Sequence, residues 1–179
     1  MAEAPTLSAA LEREHRDIDR NLALFTEGLD HGEWRIQPLD SAGKALRRHI
    51  YLEEEMLFPS LREAGQVAPV AVMLREHGDI WLALDELQQA AVVGGDGTVA
   101  RRAYERLQYL LEAHNEKEER ILYPQADVVQ HRRARFIFEA HPVEDHLAAH
   151  VAGRAVRALG QRLAVLFAAV ILATGACFV

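Results

Sequence analysis

Residues 49–59 read HIYLEEEMLFP and residues 114–124 read HNEKEERILYP, two stretches that align without a gap and match His49 with His114, Glu53 with Glu118 and Pro59 with Pro124. Ahead of each lies a second matching pair. LEREHRDI at 11–18 and MLREHGDI at 73–80 superpose His15 on His77. Two motifs recurring in the same order mark an internal repeat. A helical hairpin present twice predicts an approximate two-fold axis, with paired residues meeting across it.

The spacing around these motifs is helical. Leu7, Leu11, His15, Ile18, Leu22, Phe25 and Leu29 recur at steps of three and four and form one stripe, which ends at Asp30-His31-Gly32 and Pro38. A second helix is expected from about Leu39 to Ala64, with Ala42, Leu46, His49, Glu53, Met56 and Ser60 on one face and Gly65 and Pro69 marking its end. The third carries Val70, Met73, His77, Ile80, Leu84 and Leu87 and closes at Gly94-Gly95-Asp96-Gly97; the fourth carries Ala103, Leu107, Leu110, His114, Glu118 and Ile121. Short connections and the lack of any alternating strand pattern predict an all-α, up-down-up-down antiparallel four-helix bundle over residues 1–130. Pro59 and Pro124 should break or kink their helices.

Composition agrees with a globular chain and excludes some partners. The 179 residues are 50% hydrophobic and 26% charged, and 27 acidic against 20 basic residues leave a net charge of −7. Such a balance argues against a nucleic-acid footprint. All three basic residues after position 150, Arg154, Arg157 and Arg162, stand in a segment without an acid. The single cysteine, Cys177, cannot form an internal disulfide, and the amino terminus lacks a secretory pattern, so a reducing, cytoplasmic setting is expected.

The chemistry lies on the core stripes. His49 and Glu53, like His114 and Glu118, are four apart and share a helix face. A carboxylate on an apolar stripe is costly to desolvate unless it is neutralised, paired or bound to metal. No lysine or arginine shares these stripes. With His15 and His77 from the facing helices the chain supplies four imidazoles and two carboxylates, the inventory of a dinuclear metal site. A lone core histidine is more often a hydrogen-bonded packing residue; six such groups at equivalent places in both halves favour metal. Imidazole and carboxylate suit iron or manganese, although zinc and copper bind comparable sites tightly. HEXXH is absent, which removes the single-zinc protease reading. Glu54, Glu55 and Glu119 are expected on solvated helix surface, and Leu22, Phe25, Leu57, Trp81 and Leu122 in ordinary packing.

On REH, H-x-x-x-E-E-x-x-LFP, REH again and H-x-x-x-E-E-x-x-LYP, spread over about residues 7 to 126, the chain resembles the hemerythrin-like, or HHE cation-binding, domain family. The resemblance implies a four-helix bundle holding two non-haem iron ions. It implies His15, His49, His77 and His114 as imidazole ligands and Glu53 and Glu118 as bridging carboxylates. Oxygen-carrying members have a further histidine one turn before the third-helix ligand, where this chain has Met73. A thioether is a poor ligand for hard ferric iron. The site should therefore be more open than a carrier's, and suited to binding or reacting with dioxygen, peroxide or nitric oxide. An iron or oxygen sensor, or a carrier without turnover, are the competing readings, and no catalytic residue is singled out.

Residues 131–179 form the remaining segment. Pro142 with Glu144 and Asp145 suggests a helix start, and His146 and His150 an i,i+4 pair at the surface. From 163 the run LAVLFAAVILATGACFV is uncharged, a further apolar helix that at about 1.5 Å per residue just spans a hydrocarbon core of roughly 30 Å. The arginines before it would keep the bundle on the cytoplasmic face of a membrane. The competing reading is a helix buried in a homo-oligomer interface or against the bundle.

Overall fold

The computed structural model describes residues 6–95 and 97–130, and every regular element among them is helical. The apolar run at 163–179, the arginines before it and the His146/His150 pair lie outside the described residues. Among the described residues no helix is long and apolar enough to cross a membrane.

Helices α1 (Leu7–Asp30), α2 (Ile36–Leu52), α3 (Phe58–Glu63), α4 (Val67–Val93), α5 (Thr98–Lys117) and α6 (Tyr123–Gln130) form four rods, because five-residue π turns at Glu53–Leu57 and Glu118–Leu122 join α2 to α3 and α5 to α6. The first rod packs on α2 and on α5 and α6, and α4 packs on α5 and on α2 and α3. Each rod therefore lies beside its chain neighbours and the ring closes between first and last. This is the expected up-down-up-down bundle.

Local chemistry sets the helix ends. Thr6 caps α1 by accepting a hydrogen bond from the Ala9 amide at 3.2 Å. Ser8 donates to Asp127 at 2.5 Å, placing a carboxylate of α6 at the positive end of α1. Both α2 and α4 begin three residues before their apolar stripes predict. Pro38 and Pro69 stand in the first helical turn, where the missing amide would have had no partner, and so start helices rather than separate them. Gly94 and Gly97 carry φ of 72° and 80°, turning the chain between α4 and α5 in the left-handed region that a side chain would strain.

The two prolines late in the repeat act through the π turns. The Phe58 amide bonds to the Glu53 carbonyl, five residues back, and the Tyr123 amide likewise to Glu118. Pro59 and Pro124 follow at once, so each α pattern restarts with proline in its first turn. The extra residue shifts the buried stripe by one. Leu57, Phe58 and Leu61 are buried where Met56 and Ser60 were expected, and Leu122 is buried while Ile121 is 48% exposed. Leu110 and Ala103 are likewise only half-buried, with Leu107 and Leu111 carrying the stripe of α5.

Below the functional residues, Leu11, Leu57, Phe58, Leu61, Val70, Met73, Leu122, Tyr123 and Ala126 form one apolar cluster. Ile18, Leu22, Phe25, Leu46, Ile80, Leu84 and Leu107 are buried further along the same helices in the other direction. A polar layer is thereby enclosed between two apolar ones.

Candidate metal centre

Each of the six expected residues reaches that polar layer, and all are buried: His15 and His114 at 4% exposure, His49 at 2%, and Glu53, His77 and Glu118 at 0%. His15 comes from α1, His49 from α2, His77 from α4 and His114 from α5, while Glu53 and Glu118 are the first residues of the two π turns. They form two groups, His15–His49–Glu53–Glu118 and Glu53–His77–His114–Glu118, in each of which one ligand atom per residue lies within 4.8 Å of the others. Both carboxylates belong to both groups. That is the arrangement in which a carboxylate can touch two ions at once.

The carboxylates present different oxygens to the two halves. Glu53 Oε1 is 3.4 Å from His49 Nε2 and its Oε2 is 3.2 Å from His77 Nε2. Glu118 Oε2 is 3.5 Å from His15 Nε2 and its Oε1 is 3.1 Å from His114 Nε2. Glu53 Oε2 and Glu118 Oε1 accept no hydrogen bond although fully buried. An unsatisfied buried carboxylate oxygen is costly, and a cation at this place removes the cost.

The imidazoles make the same case from the other side. Each turns Nδ1 to a glutamate and Nε2 inward. His15 faces Glu119 at 2.8 Å, His49 faces Glu14 at 3.0 Å, His77 faces Glu54 at 2.8 Å and His114 faces Glu76 at 3.1 Å. With Nδ1–H donating to the carboxylate, Nε2 presents a lone pair, the tautomer a metal ligand needs. Yet His15 and His49 bring their Nε2 atoms to 2.9 Å, and His77 and His114 theirs to 3.1 Å. Two lone pairs at that distance require positive charge between them.

Charge bookkeeping agrees. Among the described residues, Arg48 pairs with Glu14 and Lys117 with Glu76 at the edge of the layer. Glu53 and Glu118 face imidazoles and the Tyr123 hydroxyl instead, so positive charge held among the imidazoles would balance them. In the metal-free chain a proton supplies part of that charge. Burial alone would lower the His49 pKa, but the Glu53 charge and the hydrogen bonds that the ring donates to Glu14 and Glu53 push it up to about 10. Burial alone would raise the Glu53 carboxyl, but His49 and His77 hold it well below the usual range. Burial and the Glu53 charge work against ionisation of Glu118, and His114 and His15 more than offset them.

Several members of the layer stand outside the six. Glu54 is not the solvated surface expected, because it is largely buried and faces His77, while Glu119 is exposed as expected but turns its carboxylate to His15. The reason is the π turn, whose larger number of residues per turn narrows the angle between successive side chains and swings the residue after Glu53 or Glu118 toward the groove. Glu55 is exposed, as expected. Glu14 and Glu76 had a readable signal, since each precedes its histidine in both copies of REH. Tyr123 had none, because Phe58 takes its place in the other copy; its hydroxyl donates to Glu53 Oε1 at 2.7 Å, deep in the layer. Burial and the charges of Glu118 and Glu53 push that phenol well above its usual range, so it is a donor here. Met73 packs in the apolar cluster and offers the layer no imidazole.

No significant match is found among curated proteins or solved structures. The family profile described as "Hemerythrin HHE cation binding domain" matches residues 6–126, a span that holds both copies of the hairpin and all six inward-facing His and Glu residues. With most of the described bundle covered, and with two His/Glu groups meeting across its repeat, the chain belongs to the hemerythrin HHE cation-binding domain family.

Proposed function

We propose that this protein is a non-haem diiron protein that binds or reacts with a small oxidant, dioxygen, peroxide or nitric oxide. The observation that carries the reading is the sharing of Glu53 and Glu118 between two imidazole pairs. His15 and His49 would hold one ion, His77 and His114 the other, and the two carboxylates would bridge them. Manganese or zinc would occupy the same atoms, and cellular supply would select among the metals. When bound, the iron pair supplies two adjacent one-electron redox centres, so no organic cofactor is needed. The chain's own contribution is orientation and exclusion of water. Glu14, Glu54, Glu76 and Glu119 fix the imidazole rings, and the apolar layers above and below keep bulk solvent from the carboxylates. With Met73 in place of a fifth histidine, the protein leaves positions for an external ligand.

Metal analysis of protein purified from iron-replete cells, with optical spectra before and after oxygen, tests this. Two iron ions per chain are expected, and Glu53→Ala and Glu118→Ala should each lower that number and shift the oxidised spectrum. Unchanged stoichiometry in both variants would refute the bridging assignment. Turnover of hydrogen peroxide favours an enzyme, and an oxygen adduct that reverses on degassing favours a carrier. A metal-dependent change in stability or assembly without turnover favours a sensor. For the tail we keep the membrane anchor as a proposal; full-length protein that is monodisperse without detergent would oppose it.

A further inference from the structure

Within the buried layer one hydroxyl distinguishes the two halves of the centre. Tyr123 and Phe58 hold equivalent places in the repeat, each directly before its proline. Tyr123 stacks on His15 with ring centroids 5.7 Å apart, and Phe58 stacks on His77 at 5.5 Å. Tyr123 Oη donates its one proton to Glu53 Oε1 at 2.7 Å, with Glu118 Oε2 at 3.2 Å as the longer arm of the shared bond. It also lies 3.1 Å from His15 Nε2 and 3.4 Å from His49 Nε2. One hydroxyl is thus in contact with all four residues of the His15–His49 group. The carboxylate oxygens it engages are those facing His49 and His15, and the two without a hydrogen bond are those facing His77 and His114.

We propose that Tyr123 sets the order in which the centre is loaded: the first divalent cation goes to the His77–His114 group, and the second reaches the His15–His49 group only as the Tyr123 hydroxyl releases Glu53 and Glu118. The inference rests on the two-cation reading above. A carboxylate oxygen already accepting a charge-assisted hydrogen bond must lose it, or share its lone pairs, to bind an ion. A buried oxygen with no donor has nothing to lose. Phe58 offers no competing donor to the first group. Tyr123 is therefore a positioning residue that breaks the equivalence imposed by the repeat.

The test is titration of the metal-free, full-length chain with Co2+, followed by calorimetry and by the cobalt absorption spectrum. Wild type should bind two ions in steps separated by roughly tenfold or more in affinity, the range expected of a hydrogen bond to a charged group. Tyr123→Phe should tighten the second step by a similar factor and merge the two. Phe58→Tyr should weaken the first step, His114→Ala should abolish the tight step, and His15→Ala should leave it. Two equal steps in wild type, or a second step that is unchanged or weaker in folded Tyr123→Phe, overturns the proposal and leaves the two-cation reading standing. Absence of any Co2+ binding to wild type overturns both. Should Tyr123→Phe not fold, an unchanged first step in Phe58→Tyr overturns the order of loading.

Discussion

At Glu14 the carboxylate reaches from α1 to the Nδ1–H of His49 and to Arg48, and at Glu76 it reaches from α4 to His114 and Lys117. Each ring is aimed by a neighbouring helix. Glu76→Gln keeps the shape but weakens the acceptor, and metal affinity should fall roughly 10–100-fold by calorimetry. The same exchange at exposed Glu105 should change it little, and equal affinity in both variants counts against an orienting role for Glu76. Protonation gives a second prediction. The His49 pKa is raised to about 10 from an ordinary 6.5, so the stability it lends the metal-free chain is complete below about pH 6.5 and lost as pH rises through about 10. Glu53 and Glu118 have lowered values, so their share is present above the ordinary carboxylate range and lost in acid. Urea midpoints of chelated protein should therefore decline between pH 7 and 10, and metal-loaded protein should show less of this decline. A midpoint for chelated protein that rises over that range would contradict the role given to His49.

The π turns show how an element can be readable in position and unreadable in phase. Proline at 59 and 124 announces an interruption, and the structure has one directly before each. What the three-four spacing misses is the added residue, which moves the core from Met56 and Ser60 to Leu57 and Leu61 and from Ile121 to Leu122. Hydrophobicity cannot choose between Ile121 and Leu122, since both are apolar and adjacent. Truncation can. Leu122→Ala should cost about 2–5 kcal/mol in denaturant melts, whereas Ile121→Ala should stay within about 0.5 kcal/mol. Equal losses would mean that the α phase continues through the turn. The same widening brings Glu54 and Glu119 to the imidazoles, so one backbone feature accounts for both departures from simple periodicity.

For the molecule as a whole, metal held by the six buried residues would make binding and folding a single equilibrium. Burial of the Glu53 and Glu118 carboxylates opposes folding of the bare chain, and each ion bound only by the folded state would add about 2.7 kcal/mol when free metal is a hundredfold above its dissociation constant. Chelation should lower the melting temperature, and restored iron or manganese should return it; calorimetric scans with and without chelator check this, and superimposable scans would oppose the coupling. The doubled hairpin, the four helices and the identity of His15, His49, Glu53, His77, His114 and Glu118 were all legible beforehand, because residue spacing records which side chains share a helix face and repetition records which faces meet. The sequence by itself thus determined the bundle and the six residues that meet inside it. Only the tertiary structure decided that Glu14, Glu54, Glu76 and Glu119 aim the rings, that the buried phase slips at the π turns, and that Tyr123 sits against one half of the centre. Those outcomes depend on contacts between different helices and on the angle at which a side chain leaves a widened turn, and spacing along one helix carries neither.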